Sequence, residues 1–118
     1  MRNKKKNVIS RNYLDKLPIH ASQIRWSQDS GGAVTLDIDN KGAFNRIAQK
    51  LFKKPPVSHV HLDEFGSFVW TLIDGEHTIY DIGITVEERF GEKAHPLYER
   101  LAKFFQILDS YRFISWND

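Results

Sequence analysis

The stretch that decides the fold runs from Val57 to Ile114 and reads VSHVHLDEFGSFVWTLIDGEHTIYDIGITVEERFGEKAHPLYERLAKFFQILDSYRFI. It begins with residues 57–62, where apolar and polar residues alternate as they do in a strand with one buried face. Three segments with the apolar spacing of amphipathic helices follow, near 64–73, 79–90 and 96–110. The patterns therefore predict one strand and then three helices.

Turn and capping residues separate the predicted helices. Asp63 can cap the first helix, and Asp74-Gly75 can end it. Thr78 and Asp81 have the spacing of a capping box at the start of the second helix. Pro96 suits the first turn of the third helix. Each helix thus has its own start or stop signal.

Two more alternating segments precede this stretch, at residues 24–28 and 34–38. The Gly-rich sequence at 29–32 lies between them, which is typical of a β-hairpin. We expect the hairpin and residues 57–62 to form a three-stranded antiparallel sheet. The prolines before Val57 and the polar face of its strand suit an edge position in that sheet.

An extra helix is predicted between the second and third strands, at residues 43–53. Its apolar stripe has helical spacing and is followed by Pro55-Pro56; the stripe consists of Phe44, Ile47, Ala48, Leu51 and Phe52. Residues 41–54 carry five basic side chains and no acid. Two interpretations stay open: the apolar face covers the sheet while the lysines face water, or the basic face binds phosphate, an anionic membrane surface or an acidic peptide.

Strands and helices are segregated along the chain, which predicts an α+β fold. A three-stranded antiparallel sheet followed by a three-helix bundle is winged-helix-like. The 118 residues, 41% hydrophobic and 27% charged, suit a single domain over 1–118. Residues 1–20 are expected to form an N-terminal extension that is partly flexible.

Composition excludes several classes of protein. The chain has no cysteine, so disulfides, thiolate metal sites and cysteine nucleophiles are excluded. No apolar run approaches the ~20 residues of a membrane span, and the basic N-terminus lacks the apolar core of a signal peptide. We therefore expect a cytoplasmic protein without a membrane span. The net charge of +2 is too small to indicate nucleic acid by itself.

No catalytic machinery can be read from the residues. No spacing suggests a nucleophile with its base and an orienting group, and Gly91-Glu92-Lys93 is not a phosphate loop. His59 and His61 would share one strand face and could bind a metal, but no third ligand is evident. The sequence predicts that the chain is not an enzyme and holds no metal and no cofactor.

The stretch from Leu62 to Gly91 resembles the PqqD family, named for pyrroloquinoline quinone biosynthesis protein D. The resemblance consists of ordered motifs: Leu62-Asp63, the apolar helix Phe65–Trp70, the Asp-Gly-x-x-Thr turn at 74–78, and Tyr80-Asp81-Ile82. With the hairpin, the order of elements agrees over residues 24–114. The inserted helix and the extended N-terminus depart from the short family pattern.

The resemblance implies a non-catalytic, winged-helix-like peptide-binding domain of the kind called a RiPP recognition element. In this family the leader of a precursor peptide adds as a strand beside the third strand and lies in a groove next to the third helix. The domain presents the peptide to a modifying enzyme, often a radical SAM protein. Positions of this chain that could contact such a peptide are His59, Val60, His61, Arg100, Lys103, Phe104 and Ile107.

The alternative is a winged-helix DNA-binding or regulatory protein. The predicted second helix carries Glu87 and Glu88, and the third has only Arg100 and Lys103 beside Glu99, so nucleic acid is not the expected partner. The basic tail and residues 41–54 keep this alternative open. A homodimer is a further open alternative, because nothing in the sequence fixes the oligomeric state.

Overall fold

The computed structural model describes residues 11–39 and 57–117. The chain divides into two compact units: residues 22–67, the sheet unit, and residues 1–21 with 68–118, the helical unit. In chain order the elements are α1 (Arg11–Leu14), β1 (Pro18–His20), β2 (Arg25–Gln28), β3 (Val34–Asp39), β4 (Val57–His61), α2 (Glu64–Leu72), α3 (Ile79–Phe90), a 3-10 turn (Gly91–Ala94), α4 (Leu97–Ser110) and β5 (Ile114–Trp116).

The α+β class is confirmed: antiparallel sheets and four α-helices make up the described part of the chain. Strands β2, β3 and β4 lie at the positions that the alternating patterns predict, and α2, α3 and α4 lie where the helical stripes predict them. The predicted helix at 43–53 lies outside the described residues. The winged-helix arrangement and the single domain stay predictions.

The sheet unit holds an antiparallel sheet with the strand order β2-β3-β4. The hairpin turn is built around Asp29, whose carboxylate accepts the backbone N–H groups of Gly31 and Ala33 at 2.8 and 3.0 Å. Gly32 has a φ of +94°, which a residue with a side chain rarely adopts. Alternate residues of β3 then lie on opposite faces of the sheet, and Val34 and Leu36, on one face, are fully buried.

The helical unit contains a second, two-stranded antiparallel sheet that the sequence analysis did not anticipate. In it β1 pairs with β5, with Pro18 opposite Trp116 and His20 opposite Ile114. Residues 18–20 were expected to belong to the N-terminal extension, whereas they form one strand of this sheet. The other strand, β5, begins at Ile114, after the end of α4.

Apolar side chains of α2, α3 and α4 form the core of the helical unit. Trp70 and Phe105 are the largest side chains that are fully buried, and Phe68 of α2 meets Phe90 of α3 edge to face at 5.6 Å between ring centroids. The remaining buried apolar side chains of these helices are Val69, Ile79, Ile82, Val86, Leu101, Ala102 and Leu108. Truncating a buried side chain of the size of Trp70 typically costs about 3–5 kcal/mol. Within residues 11–39 and 57–117, no helix is long and apolar enough to cross a bilayer.

Candidate functional site

The candidate site is the outer edge of the three-stranded sheet, which β4 provides. One side of β4 pairs with β3 along its whole length, from Val57 opposite Asp39 to His61 opposite Thr35. Among residues 11–39 and 57–117, no strand pairs with the other side of β4. An outermost strand can accept a further strand through its backbone.

The register fixes which residues of β4 turn their backbone toward this edge. The N–H of Leu62 donates to the carbonyl of Val34 at 2.9 Å, so these two residues face each other as a hydrogen-bonded pair. In an antiparallel ladder such pairs alternate with pairs whose backbone groups point away from each other. Val60, opposite Leu36, therefore bonds toward β3, while the N–H and C=O groups of His59 and His61 point to the outer side.

A buried hydroxyl closes the end of the β3–β4 ladder. Ser67 is 2% exposed, and its Oγ accepts the N–H of Val34 at 2.9 Å. The same hydroxyl donates to the carbonyl of Leu62 at 3.1 Å. It thus replaces the second hydrogen bond that the Val34–Leu62 pair would otherwise exchange. Because two strands meet at Ser67, this side chain holds the C-terminal end of β4 in register with β3.

The outer face of the sheet carries polar cross-strand pairs. His59 Nδ1 lies 2.7 Å from Asp37 Oδ1, and His61 Nδ1 lies 3.0 Å from Thr35 Oγ1. Arg25 of β2 stands opposite Asp37 in the register, so one row across the sheet reads arginine, aspartate, histidine. Both histidines are exposed. The edge strand therefore presents two imidazoles whose Nδ1 atoms are already engaged within the sheet.

The contacts of His59 and His61 bear on whether these two side chains could bind a metal ion. In the described part of the chain, no group of three or more His, Cys, Asp or Glu side chains could hold a metal ion. Nδ1 of His59 contacts Asp37 and Nδ1 of His61 contacts Thr35, so these two nitrogen atoms face different residues of β3 and not one metal position. The absence of a metal and of a cofactor stays a prediction.

The other predicted contact residues lie on α4, in the helical unit. Arg100 donates to the carbonyl of Lys93 at 2.8 Å, and Phe104 is half-buried with its ring edge-to-face on Phe105 at 5.9 Å. Lys103 is exposed, and Ile107 is 45% exposed. Spacings of three and four residues place these four side chains on one side of the helix. Their role as contacts for a peptide stays a prediction, as does that of His59, Val60 and His61.

The Asp-Gly-x-x-Thr turn, which follows α2, is built by hydrogen bonds to the Asp74 carboxylate. Its Oδ1 accepts the N–H groups of Glu76 and His77 at 2.9 and 3.0 Å, and its Oδ2 lies 2.7 Å from His77 Nδ1. The N–H of Glu76, together with the His77 contacts, lowers the pKa of Asp74. The Asp74 carboxylate in turn raises the pKa of His77, first by the hydrogen bond and then by its charge.

The other two motif residues of this turn are also structural. Gly75 has a φ of +78°, and its N–H donates to the carbonyl of Pro18 at 2.9 Å. Thr78 caps α3 through the predicted capping box, since its Oγ1 accepts the N–H of Asp81 and the Asp81 carboxylate accepts the N–H of Thr78. The turn therefore joins α2, α3 and β1. The capping box that the sequence predicts at Thr78 and Asp81 is confirmed.

Sequence reasoning missed three residues that shape the edge: Asp37, Thr35 and Ser67. Asp37 and Thr35 occupy the polar positions of an alternating strand, which indicates only an outer face. Their pairing with His59 and His61 depends on the register. Ser67 lies in an amphipathic helix, where a serine usually signals a polar face, and nothing local indicates that it is buried.

Residues 32–114, most of the chain, match the family model described as Coenzyme PQQ synthesis protein D (PqqD). No curated protein and no solved structure matches the chain significantly. The matched region contains β3, β4, α2, α3, α4 and the Asp74–Thr78 turn, which are the elements that carry the resemblance seen in the sequence. That prediction is confirmed, and the chain belongs to the PqqD family.

Proposed function

We propose that this chain captures the leader of a precursor peptide by strand addition at the outer edge of β4 and presents it to a modifying enzyme. The observation that carries the proposal is the direction of the backbone at His59 and His61. Their N–H and C=O groups point away from β3, on a strand that is outermost among the described residues. An extended peptide satisfies such groups without any change in the sheet.

In strand addition, the backbone of the peptide provides affinity and its side chains provide specificity. Each backbone hydrogen bond contributes about 0.5–1.5 kcal/mol and does not depend on the side chains of the peptide. Alternate side chains of the added strand lie on the two faces of the sheet, where they meet the side chains of β4. A protein of this kind can thus hold an extended leader firmly and still distinguish one leader from another.

Family membership supports the nature of the peptide and of the partner. The family description names a protein of coenzyme PQQ synthesis, and the family works with a precursor peptide and a partner enzyme. On this basis we propose a non-catalytic peptide chaperone with a winged-helix arrangement, a cytoplasmic location and a radical SAM enzyme as partner. Arg100, Lys103, Phe104 and Ile107 remain candidate contacts for the peptide, and a homodimer remains open.

Backbone hydrogen exchange tests the proposal directly. The probe is a synthetic peptide with the leader sequence of a candidate precursor peptide from the same genome, titrated into the 15N-labelled full chain. We expect the amides of His59 and His61 to become protected from exchange. The amide of Val60 already bonds toward β3 and should change little. A complex in which residues 57–61 keep their exchange rates would overturn the proposal, and salt-sensitive binding to one duplex sequence would favour the DNA-binding alternative.

A pair of variants at one position separates the backbone from the side chain. His59→Pro removes the outward N–H and the imidazole, whereas His59→Ala removes only the imidazole. An edge strand tolerates proline where its N–H faces outward. Loss of one hydrogen bond predicts that His59→Pro binds the leader about two- to twelvefold more weakly than His59→Ala. Equal affinities, with both variants folded by circular dichroism, would contradict strand addition at this edge.

A further inference from the structure

The outer face of the sheet shows a row of charged side chains that runs toward the edge. Arg25 stands opposite Asp37, and Asp37 stands opposite His59. The Asp37 carboxylate lies 2.7 Å from His59 Nδ1. The row begins with a cation, continues with an anion and ends at an imidazole on the outermost described strand. The next position in the row would belong to the strand that β4 captures.

We infer that the captured leader carries an aspartate or glutamate at the position facing His59, so that its ligand class is an extended acidic-apolar segment. The inference rests on the proposed capture at β4, and it assigns a specificity-determining role to His59 together with Asp37.

The geometry of a β-sheet places the leader side chain close to the imidazole. An added strand lies about 4.8 Å beyond β4. The leader residue opposite His59 points its side chain to the same face as His59, with Cβ atoms about 5 Å apart. His59 is exposed to solvent, its side chain 60% accessible, so a carboxylate of the leader can approach it.

The chemistry of the imidazole then selects a carboxylate. Because Nδ1 faces Asp37, Nε2 is the atom that can meet the leader. In its protonated form an imidazole donates from both ring nitrogens. Asp37 accepts at Nδ1, so the Nε2–H of the protonated ring is left to donate to a carboxylate of the leader. A lysine or arginine at the same position would place a cation beside that ring, and like charges directly across two strands are destabilising.

The next two residues of β4, Val60 and His61, predict which leader residues lie beside them. Val60, whose side chain shares the inner face with the buried Leu36, lies next to the following leader residue, which should be apolar. His61 faces the residue after that, and its Nδ1 contacts the uncharged hydroxyl of Thr35 at 3.0 Å. Among the described residues His61 bonds to a hydroxyl and His59 to a carboxylate, so the acidic preference belongs to His59. The two histidines therefore provide a matched pair for the test.

The test uses a randomised seven-residue peptide library displayed on phage and selected on the full-length chain at pH 6. The proteins are the wild type, His59→Gln, His61→Gln and the double variant Asp37→Lys, His59→Glu, each checked for folding by circular dichroism. We expect the wild type to enrich one acidic position flanked by an apolar residue. The preference should be kept in His61→Gln, lost in His59→Gln and turned toward lysine or arginine in the double variant. Individual acidic peptides should lose roughly two- to fivefold in affinity with His59→Gln.

Two further results separate failure of this inference from failure of the proposed function. Selected peptides that shift the amides of β4 but show no acidic position would overturn the charge preference and leave the capture in place. A library that yields no peptide bound at β4 for the wild type would overturn the capture, and the preference with it. Enrichment that is lost equally in His59→Gln and His61→Gln would also contradict the assigned role of Asp37.

Discussion

In the Asp74–Thr78 turn the backbone N–H groups of residues 75–78 find acceptors inside the fold, whereas on β4 every second residue turns its backbone away from its partner strand. The turn uses the carboxylates of Asp74 and Asp81 and the carbonyl of Pro18 as acceptors. The outer side of β4 has no strand beside it among the described residues. One region is complete within the chain, and the other has outward backbone groups to which, as we propose, a peptide strand adds.

This difference explains why the recognisable part of the sequence is separate from the part that we propose binds a peptide. An internally satisfied turn needs particular residues: a carboxylate at 74, a left-handed glycine at 75 and a hydroxyl cap at 78. Strand addition needs a backbone direction, which many residues can supply. Family motifs therefore report the scaffold, whereas the strand edge carries the function that we propose.

The largest effect is expected in the turn, at Gly75. A Cβ built there would lie 2.9 Å from Cδ1 of Ile19, and the φ of +78° disfavours any side chain. Left-handed strain and the close contact together predict that Gly75→Ala lowers the free energy of unfolding by about 3 kcal/mol. Urea denaturation followed by tryptophan fluorescence measures this loss.

A second variant separates the two causes. Ile19→Ala removes the atom nearest to the new Cβ, so Gly75→Ala should cost about 1–2 kcal/mol less in that background. The affinity of the folded Gly75→Ala protein for a leader peptide should match that of the wild type. If affinity fell in proportion to stability, the separation between scaffold and binding edge would be wrong.

A smaller effect is expected at the junction of β3, β4 and α2. Ser67→Ala leaves the buried N–H of Val34 without its hydroxyl acceptor and the carbonyl of Leu62 without its hydroxyl donor. An unsatisfied buried group costs about 1–3 kcal/mol, and we expect about 2 kcal/mol here. The amide of Val34 should also exchange faster. The exposed Ser115→Ala, on β5, is the control and should stay within about 0.5 kcal/mol of the wild type. Equal stabilities of the two variants would contradict the role of Ser67.

Local patterns predicted most elements of this fold because each has a complete signal of its own. The hairpin combines alternation with a Gly-rich turn, and α3 combines a stripe with the Thr78–Asp81 box. The β1–β5 pair was missed because its strands have three residues each and lie at opposite ends of the chain. Three residues are too few for a period, and nothing local indicates a pairing over such a distance.

The features of the candidate site also divide into those that the sequence predicted and those that it did not. Alternation placed His59 and His61 on one face of a predicted edge strand, as they lie in β4. Their neighbours Asp37 and Thr35 follow from the register, because a shift by one residue would exchange the faces. The direction of the backbone at His59 also depends on register. These features require the structure of the sheet, since residue types alone do not set them.

The smallest effects are pH dependences of opposite sign at two histidines of the helical unit. His20 stacks on Trp70 with 3.9 Å between ring centroids, and its Nε2–H donates to the Trp70 carbonyl at 2.9 Å. Burial lowers the pKa of His20 below 6.5, although this hydrogen bond partly opposes the change. The unfolded chain therefore binds the proton more tightly, and the contribution of neutral His20 to stability is lost as pH falls below about 6.5.

In the turn, His77 behaves in the opposite way, because its hydrogen bond to Asp74 raises its pKa above 6.5. Its contribution is full below that pH and is lost as pH rises through the higher pKa of the folded state. Urea denaturation at pH 5.5 and pH 8.5 should show that His77→Gln destabilises more at the lower pH. His20→Gln, which can keep a donor for the Trp70 carbonyl, should destabilise more at the higher pH. Parallel trends for the two variants would mean that the Asp74–His77 pair does not stabilise the turn. The sequence motif at 74–78 would then owe its structural role to Gly75 and the Thr78 cap alone.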